Sequence, residues 1–259
     1  MTKLLLIIIV VINLITILYY KRKNIRRMFN KQNIKTVGVE NIDEIFKPNI
    51  KNNLKIPQEE TFVKTFSIPV SYGVGGMTTD YESWILASLS KKAKNIFEFG
   101  TCSGKTTFLF GMNSVPEANI FTITLDPNDV GELKNQSNDN KTAARNIKNE
   151  SIYDQFMFSG HEVEKKIKVI FQDSRNLDIK NFKNQFDLIF IDGGHTYSCV
   201  KSDTEKALQM IRKNGIILWH DYTNNKRSSK DVYKYLEEIS KKISIETVEY
   251  TSFCFYRKK

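Results

Sequence analysis

The chain has 259 residues, of which 41% are hydrophobic and 12% aromatic, so it can bury a full core and disorder is excluded as the default state. Its formal net charge of +10 is concentrated at one end. Residues 1–35 contain eight basic residues and no acidic one, which leaves 31 basic against 29 acidic residues elsewhere. A nucleic-acid-binding domain would carry the excess on its folded part, so a nucleic-acid partner is not expected. Three cysteines without a Cys-x-x-Cys pair indicate neither a disulfide framework nor a zinc ribbon.

An uncharged run of 17 residues, Leu4–Tyr20, predicts a transmembrane helix. As a helix it would span about 25 Å, at the short end of what a bilayer requires. The alternative is a cleaved signal peptide, but the run ends in LYYKRK, without the small residues of a cleavage site. Six basic residues between Lys21 and Lys31 then predict a single-pass membrane protein whose C-terminal domain is cytoplasmic.

The segment that follows shows no sustained hydrophobic period between Asn30 and Glu60. It is expected to be a linker with short helical pieces. The predicted division of the chain is therefore an anchor at 1–21, a basic juxtamembrane segment and linker at 22–60, and one folded domain at 61–259.

Helical and strand patterns alternate from Thr79 onward. Thr79 and Glu82 have the Thr-x-x-Glu spacing of a capping box and precede a helical stripe of apolar residues, which predicts a helix over 79–93. Further helices are predicted at 105–113, 140–149, 199–213 and 229–242. Strands are predicted at 95–99, 120–125, 167–172, 186–191 and 215–219, and a final hairpin at 243–249 and 252–256.

These strands predict a Rossmann-like, doubly wound α/β fold. The run LIFI at 188–191 is apolar on both faces, which is typical of a parallel strand covered by helices on each side. Strand–helix alternation therefore predicts a mostly parallel sheet, closed by the C-terminal antiparallel hairpin. Ligands bind such sheets at the carboxyl ends of the strands, so the residues directly after each strand are the candidate site.

The first predicted strand runs into a glycine-containing turn, EFGTCSGKT at 98–106. Glycines let the backbone approach a ligand there, and the following helix N-terminus presents free N–H groups. The GKT end looks like a nucleotide-binding P-loop, but that motif requires a glycine where Phe99 stands. The dinucleotide pattern Gly-x-Gly-x-x-Gly fails at Cys102. An ATPase or kinase is therefore disfavoured, and a tight turn without a ligand is the remaining alternative.

The turn resembles motif I, acid-x-Gly-x-x-x-Gly, of class I S-adenosylmethionine-dependent methyltransferases. The resemblance runs from about Pro69 to the C-terminus and includes GVGGM at 73–77, DGGH at 192–195 and HDY at 220–222. The ordered set is most similar to the bacterial group related to macrocin and cephalosporin-type O-methyltransferases. It implies methyl transfer from S-adenosylmethionine to a hydroxyl of a small-molecule or glycosidic acceptor.

The resemblance also implies which residues bind the cofactor. The loop that holds its methionine part corresponds to the glycine turn, with Glu98, Gly100, Thr101, Ser103 and Gly104. A side chain at residue 100 is expected to abolish binding by filling the space that the ligand needs.

Two later strand ends complete the implied cofactor site. Asp126 matches the acid that binds the ribose hydroxyls, and Asp173 with Ser174 matches the pair near the adenine. Each acid has a local alternative, an Asp-Pro turn at Asp126 and a helix cap at Asp173.

Methyl transfer to a hydroxyl requires a base or a metal that removes the acceptor proton. Asp192 and His195 follow the fourth strand and His220 and Asp221 the fifth, so these four catalytic candidates should converge. His195, whose unperturbed pKa is about 6.5, is the predicted base. Related enzymes hold a divalent metal with acids matching Asp192 and Asp221. His220 and Tyr222 differ from the usual neighbours there, so the metal and its identity stay open.

Other functions are compatible with parts of this pattern. A non-catalytic, membrane-tethered binding module would need neither of the two histidines at the strand ends, so their presence argues against it. An N-methyltransferase would use similar residues. The expected partners are a small-molecule acceptor and, through the N-terminal helix, a membrane; nothing in the sequence indicates the acceptor or the oligomeric state.

Overall fold

The computed structural model describes Asn13 and residues 33–74, 78–132, 134, 136–224 and 227–259. By its internal contacts the chain divides into two units, residues 1–33 and 34–259. All the elements described below belong to the second unit.

The predicted transmembrane helix is contradicted. Among the described residues, no helix is both long and apolar enough to cross a membrane. A span needs about 20 predominantly apolar residues, whereas the longest described α-helix, Tyr197–Met210, has 14 residues and carries Lys201, Asp203 and Glu205. The predictions of an anchor, a membrane partner and a single-pass membrane localisation with a cytoplasmic catalytic domain are corrected accordingly. The predicted span, residues 4–20, lies outside the described residues except for Asn13.

The unit is built from α-helices, β-strands and short 3-10 helices. The α-helices are α1 (Asp80–Ser90), α2 (Lys105–Asn113), α3 (Lys141–Glu150), α4 (Tyr197–Met210) and α5 (Lys230–Ile239). The strands are β1 (Lys35–Val37), β2 (Asn49–Lys51), β3 (Leu54–Ile56), β4 (Asn95–Phe99), β5 (Asn119–Thr124), β6 (Ile167–Phe171), β7 (Phe186–Ile191), β8 (Ile211–Trp219), β9 (Glu246–Val248) and β10 (Cys254–Arg257). The 3-10 helices are Val39–Asn41, Glu44–Phe46, Glu59–Thr61, Val70–Tyr72, Val130–Glu132, Glu162–Lys166, Ser174–Asn176 and Lys180–Phe182.

Eight strands form one sheet in the order β1-β9-β10-β8-β7-β4-β5-β6. Strands β4 to β8 pair in parallel, and β10 is antiparallel to both β8 and β9. The strand order reverses between β4 and β7, which is the switch point where such sheets bind ligands. The sheet part of the predicted fold, mostly parallel with a C-terminal antiparallel hairpin, is therefore confirmed.

Successive residues of the central strands enter opposite cores, because side chains alternate across a strand. Phe97 and Ile189 belong to one apolar cluster, which also contains Trp219. Ile96 and Leu188, one residue earlier, belong to the cluster on the other face. Burial on both faces explains why these strands read as continuous apolar runs.

The segment expected to be a linker contributes to the sheet. It contains three 3-10 helices, and β1 adds a parallel partner to β9. Ile42 and Phe46 pack into the apolar core, while Arg257 donates a 2.6 Å hydrogen bond to the Ile42 carbonyl. Three-residue elements are too short to produce a periodic signal, so the sequence pattern does not reveal them.

Candidate functional site

Two clefts open at the carboxyl edge of the sheet. The first cleft, of about 550 Å³, lies at the ends of β4, β5, β6 and β7, and its lining includes Leu125, Asp173, Ser174 and Asp203. The second cleft, of about 700 Å³, lies beside the α2 N-terminus and the ends of β7 and β8. Its lining includes Glu98, Lys105, His195, His220 and Asp221. The two clefts share Gly100, Cys102, Glu150 and Asp192, which form their junction.

The close approach of two strand ends in the protein requires a glycine at residue 100. Gly100 has φ +100°, and a Cβ there would lie 2.3 Å from the Asp192 carbonyl oxygen and 2.6 Å from the Gly193 Cα. The two strand ends are held this close by a 2.9 Å hydrogen bond from the Asp192 N–H to the Phe99 carbonyl. A side chain at residue 100 would therefore meet the end of β7 before it reached any space that a ligand needs.

Gly104 precedes α2 in the left-handed conformation, at φ +80°. A Cβ there would lie 2.8 Å from Phe156 and 2.9 Å from Phe158. Ser103 accepts a 3.0 Å hydrogen bond from the Met157 N–H, so the segment around these phenylalanines packs directly on the turn. Thr101 is buried and hydrogen-bonded to Thr122 at 2.7 Å.

Glu98 lies beneath the turn and is only 1% exposed. Its carboxyl group accepts hydrogen bonds from the Thr107 hydroxyl and, at 2.7 Å, from the Thr122 hydroxyl. Burial raises the pKa of Glu98 to about 8, although these two hydrogen bonds act in the opposite direction. Burial therefore favours the neutral form of this carboxyl group, which serves as a polar link between β4, β5 and α2.

Lys105, which gives the turn its likeness to a P-loop, is used inside the protein. Its Nζ donates to the Thr78 carbonyl at 2.9 Å, to the Thr78 hydroxyl at 3.3 Å and to the Ser83 hydroxyl at 3.2 Å. Burial lowers the pKa of Lys105. The lysine joins the start of α2 to the start of α1, a role that differs from phosphate binding.

The two acids predicted at later strand ends both make local contacts. Asp126 Oδ1 accepts hydrogen bonds from the backbone and side-chain nitrogens of Asn128, at 2.8 and 2.9 Å. It lies one residue beyond Leu125, which lines the first cleft. Asp173 caps a 3-10 helix and binds Arg175, with a 2.6 Å contact from Nη2. Both local alternatives, turn and cap, are thus present beside the first cleft.

Asp203 of α4 also lines the first cleft, and the sequence analysis did not identify it. It is 1% exposed, and its Oδ1 has no hydrogen-bond partner among the residues that the structure describes. Burial raises the pKa of Asp203 to about 7, with Ser174 and Lys206 acting in the opposite direction. An acid in the middle of a polar helix gives no sequence signal of burial, because the sequence does not show which face meets the sheet.

The four predicted catalytic residues do converge in the second cleft. His195 Nε2 lies 3.2 Å from Asp221 Oδ2 and 3.5 Å from Asp192 Oδ1. His220 Nδ1 lies 3.1 Å from Asp192 Oδ1 and 3.6 Å from Asp221 Oδ2. The two carboxylates therefore stand between two imidazoles, at the adjacent ends of β7 and β8.

Glu82 is a further member of this cluster that sequence reasoning treated only as a helix cap. The capping box is present, with a 3.2 Å hydrogen bond from the Glu82 N–H to the Thr79 hydroxyl. The Glu82 carboxylate accepts a hydrogen bond from the Ser252 N–H at 2.8 Å and lies 3.5 Å from His220 Nε2. Burial would raise the pKa of Glu82, but His220 and the hydrogen bonds outweigh it and lower the pKa to about 2.

The neighbouring carboxylates raise the pKa of both imidazoles. Burial would lower the pKa of His220, but the charge of Asp192 and hydrogen bonds to Asp192, Asp221 and Glu82 hold that pKa well above its usual value. His195 is buried as well, and Asp192 and Asp221 raise its pKa to about 8.

The donor atoms of Asp192, His195 and Asp221 could hold a metal ion, since they all lie within 4.8 Å of one another. His195 Nε2 is buried and, although it is close to both carboxylates, makes no hydrogen bond with a described residue. A cation between the three groups would give that nitrogen a partner. Two carboxylates and one imidazole suit Mn²⁺, Fe²⁺ or Zn²⁺ better than Mg²⁺. The structure thus adds His195 to the predicted ligands Asp192 and Asp221.

Comparisons with known proteins identify the domain and the fold that contain this site. Residues 97–222 match a family described as a methyltransferase domain, a range that includes the glycine turn and both histidine–aspartate strand ends. The chain matches no curated protein sequence significantly.

Solved structures resemble the chain in fold. A methyltransferase from Podospora anserina bound to S-adenosylhomocysteine is 17% identical, with a TM-score of 0.53, and the match covers 76% of this chain and 91% of that one. A Staphylococcus aureus protein provisionally described as a caffeoyl-CoA O-methyltransferase is 17% identical, with a TM-score of 0.52 and coverage of 73% and 88%. A Klebsiella pneumoniae protein provisionally described as an O-methyltransferase is 16% identical, with a TM-score of 0.50 and coverage of 73% and 86%.

The family match and the fold together confirm the predicted enzyme class. Residues 97–222 match a methyltransferase domain, and the fold is similar to that of a methyltransferase bound to S-adenosylhomocysteine, as expected for a class I S-adenosylmethionine-dependent methyltransferase.

Proposed function

We propose that this methyltransferase transfers the methyl group of S-adenosylmethionine to a hydroxyl of a small-molecule or glycosidic acceptor. The observation that carries the proposal is the junction of the two clefts, beyond which the second cleft is lined by both the glycine turn and the histidine–aspartate cluster. A donor in the first cleft and an acceptor in the second would meet there. The S. aureus and K. pneumoniae neighbours, described as O-methyltransferases, support the choice of a hydroxyl.

The first cleft suits the donor for three reasons. At Gly100 and Cys102 it joins the second cleft beside the N-terminus of α2, whose free N–H groups favour the carboxylate end of a donor that extends across the junction. Asp126 keeps an oxygen, Oδ2, that the Asn128 hydrogen bonds do not use and that can accept from a ribose hydroxyl. Asp173 and Ser174 line the far part of the same cleft, where the adenine would lie.

The second cleft supplies the groups that act on the acceptor. The acceptor oxygen forms the new O–C bond while the sulfonium C–S bond breaks, and the neutral form of the His195 imidazole takes the hydroxyl proton. Asp192 and Asp221 lie within 3.5 Å of its Nε2 and stabilise the positive charge that forms on the ring. A divalent cation held by Asp192, His195 and Asp221 would instead lower the pKa of the acceptor hydroxyl.

We also propose that the methyltransferase domain, predicted over 61–259, extends to residue 34. Residues 35–37 pair with β9, and the segment is tied to the C-terminus through Arg257. A truncation that begins at residue 61 would expose the edge of β9 and part of the apolar core.

Calorimetric titration of the full chain tests the proposal. We expect S-adenosylmethionine and S-adenosylhomocysteine to bind with one site each, and ATP not to bind. Mn²⁺ should bind to the wild type and lose its affinity in Asp192→Ala and Asp221→Ala, with Asp178→Ala, an exposed acid outside the site, as the control. Binding of ATP without S-adenosylmethionine would overturn the assignment.

A further inference from the structure

Glu150 ends α3 and lines both clefts at their junction. Of the four junction residues, it and Asp192 carry carboxylates. Asp192 lies 3.1 Å from His220 and faces His195. The carboxylate of Glu150, by contrast, makes no hydrogen bond or ion pair with any residue that the structure describes.

The surroundings of Glu150 leave its charge uncompensated. Burial is the largest cause that raises its pKa, and Asp192 and Asp221 add to the effect. His195 is the nearby positive group that opposes it, and both of those aspartates already flank that imidazole. A partly buried carboxylate without a partner is costly, and a positively charged ligand group at the junction would offset that cost.

We infer that Glu150 selects the positively charged sulfonium donor over its neutral thioether product. The inference rests on the proposed function, in which the methyl group passes from the first cleft to the second. In-line transfer requires the reacting atoms to approach within about 3–3.5 Å, so the sulfonium must lie at the junction beside Glu150. Transfer of the methyl group removes the positive charge, and the attraction of Glu150 for the ligand ends with the reaction.

The ratio of two affinities measures this effect. S-adenosylmethionine and S-adenosylhomocysteine share the nucleoside, carboxylate and ammonium groups, so the ratio of their dissociation constants isolates the sulfonium. At pH 8 and with a chelator present, Glu150→Gln should weaken the affinity for S-adenosylmethionine about 5- to 30-fold, the scale of one charge pair at a partly buried site. Its affinity for S-adenosylhomocysteine should change less than about twofold.

Further variants complete the test. Glu150→Asp keeps the charge and should keep most of the preference, and Glu205→Gln, on the exposed side of α4, should leave the ratio unchanged. If Glu150→Gln does not fold, Glu150→Ala, which also removes the charge, takes its place. An unchanged ratio in the variant that removes the charge overturns the inference, while binding of both ligands preserves the proposed function. Failure of the wild type to bind either ligand overturns both.

Discussion

The two clefts differ in where their polar residues find partners. In the first cleft, Asp126 binds Asn128 and Asp173 binds Arg175, each two residues away in the chain. In the second cleft, His220 contacts Asp192, 28 residues away, and Glu82 binds Ser252, 170 residues away. Short-range contacts orient the two acids at the first cleft. The cluster in the second cleft requires β7, β8 and α1 to pack together.

The largest expected effect is a loss of turnover from a substitution in the second cleft that leaves donor binding in the first cleft unchanged. His195→Ala should lower turnover by about 10²–10⁴-fold, the usual contribution of general acid–base catalysis, because the acceptor proton loses its base. The dissociation constant of S-adenosylmethionine should stay nearly constant, since His195 lines the second cleft. A methyl-transfer assay and calorimetry measure the two quantities. Full activity of this variant in the presence of a chelator would show that the histidine is structural.

Gly100→Ala should damage both clefts, because residue 100 lies at their junction. The new Cβ would meet the Asp192 carbonyl at 2.3 Å in a backbone conformation that only glycine adopts readily. We expect a loss of about 4 kcal/mol or more in the free energy of unfolding, measured by urea denaturation. Gly131→Ala is the control, because a Cβ there meets nothing within 4 Å. Equal stability of the two variants would contradict the close approach of β4 and β7.

Asp203→Asn tests whether the buried acid of the first cleft makes the stability of the protein depend on pH. The pKa of Asp203 is raised from 3.8 to about 7, so the folded chain keeps a proton that the unfolded chain releases. The wild type should therefore lose stability as the pH rises from about 4 to 7, by up to about 4 kcal/mol. Asp203→Asn should remove this loss and be more stable than the wild type at pH 8, while Glu205→Gln on the same helix should not. Parallel pH profiles of wild type and Asp203→Asn in thermal unfolding would refute the buried acid.

The smallest expected effect concerns the ribose assignment. Asp126→Ala should weaken S-adenosylmethionine binding by about 1–3 kcal/mol, the scale of hydrogen bonds to a charged group. Asn128→Ala removes the side-chain contact of the turn and keeps both the backbone contact and the carboxylate, so it separates this part of the turn from ligand binding. If Asn128→Ala weakens binding as much as Asp126→Ala, the aspartate acts through the turn alone.

The membrane prediction shows the limit of reasoning from one uncharged run. Hydropathy counts apolar residues, and the run at 4–20 satisfies that count. The described part of the chain contains no helix that could cross a membrane, and this finding corrected both the anchor and the localisation.

From residue 79 onward, the order of α-helices and strands followed from the sequence by itself, because burial on both faces and helical periodicity are properties of neighbouring residues. The turn after β4 and the polar residues after β7 and β8 were identified in the same way. Only the tertiary structure decided what those residues contact. In that structure, Lys105 donates a hydrogen bond to Thr78, and Glu82 contacts His220 and Ser252. Glu150 lies at the junction of the two clefts. Such pairings join residues far apart in the chain, and no local pattern encodes a distance between segments that meet only when the sheet is complete.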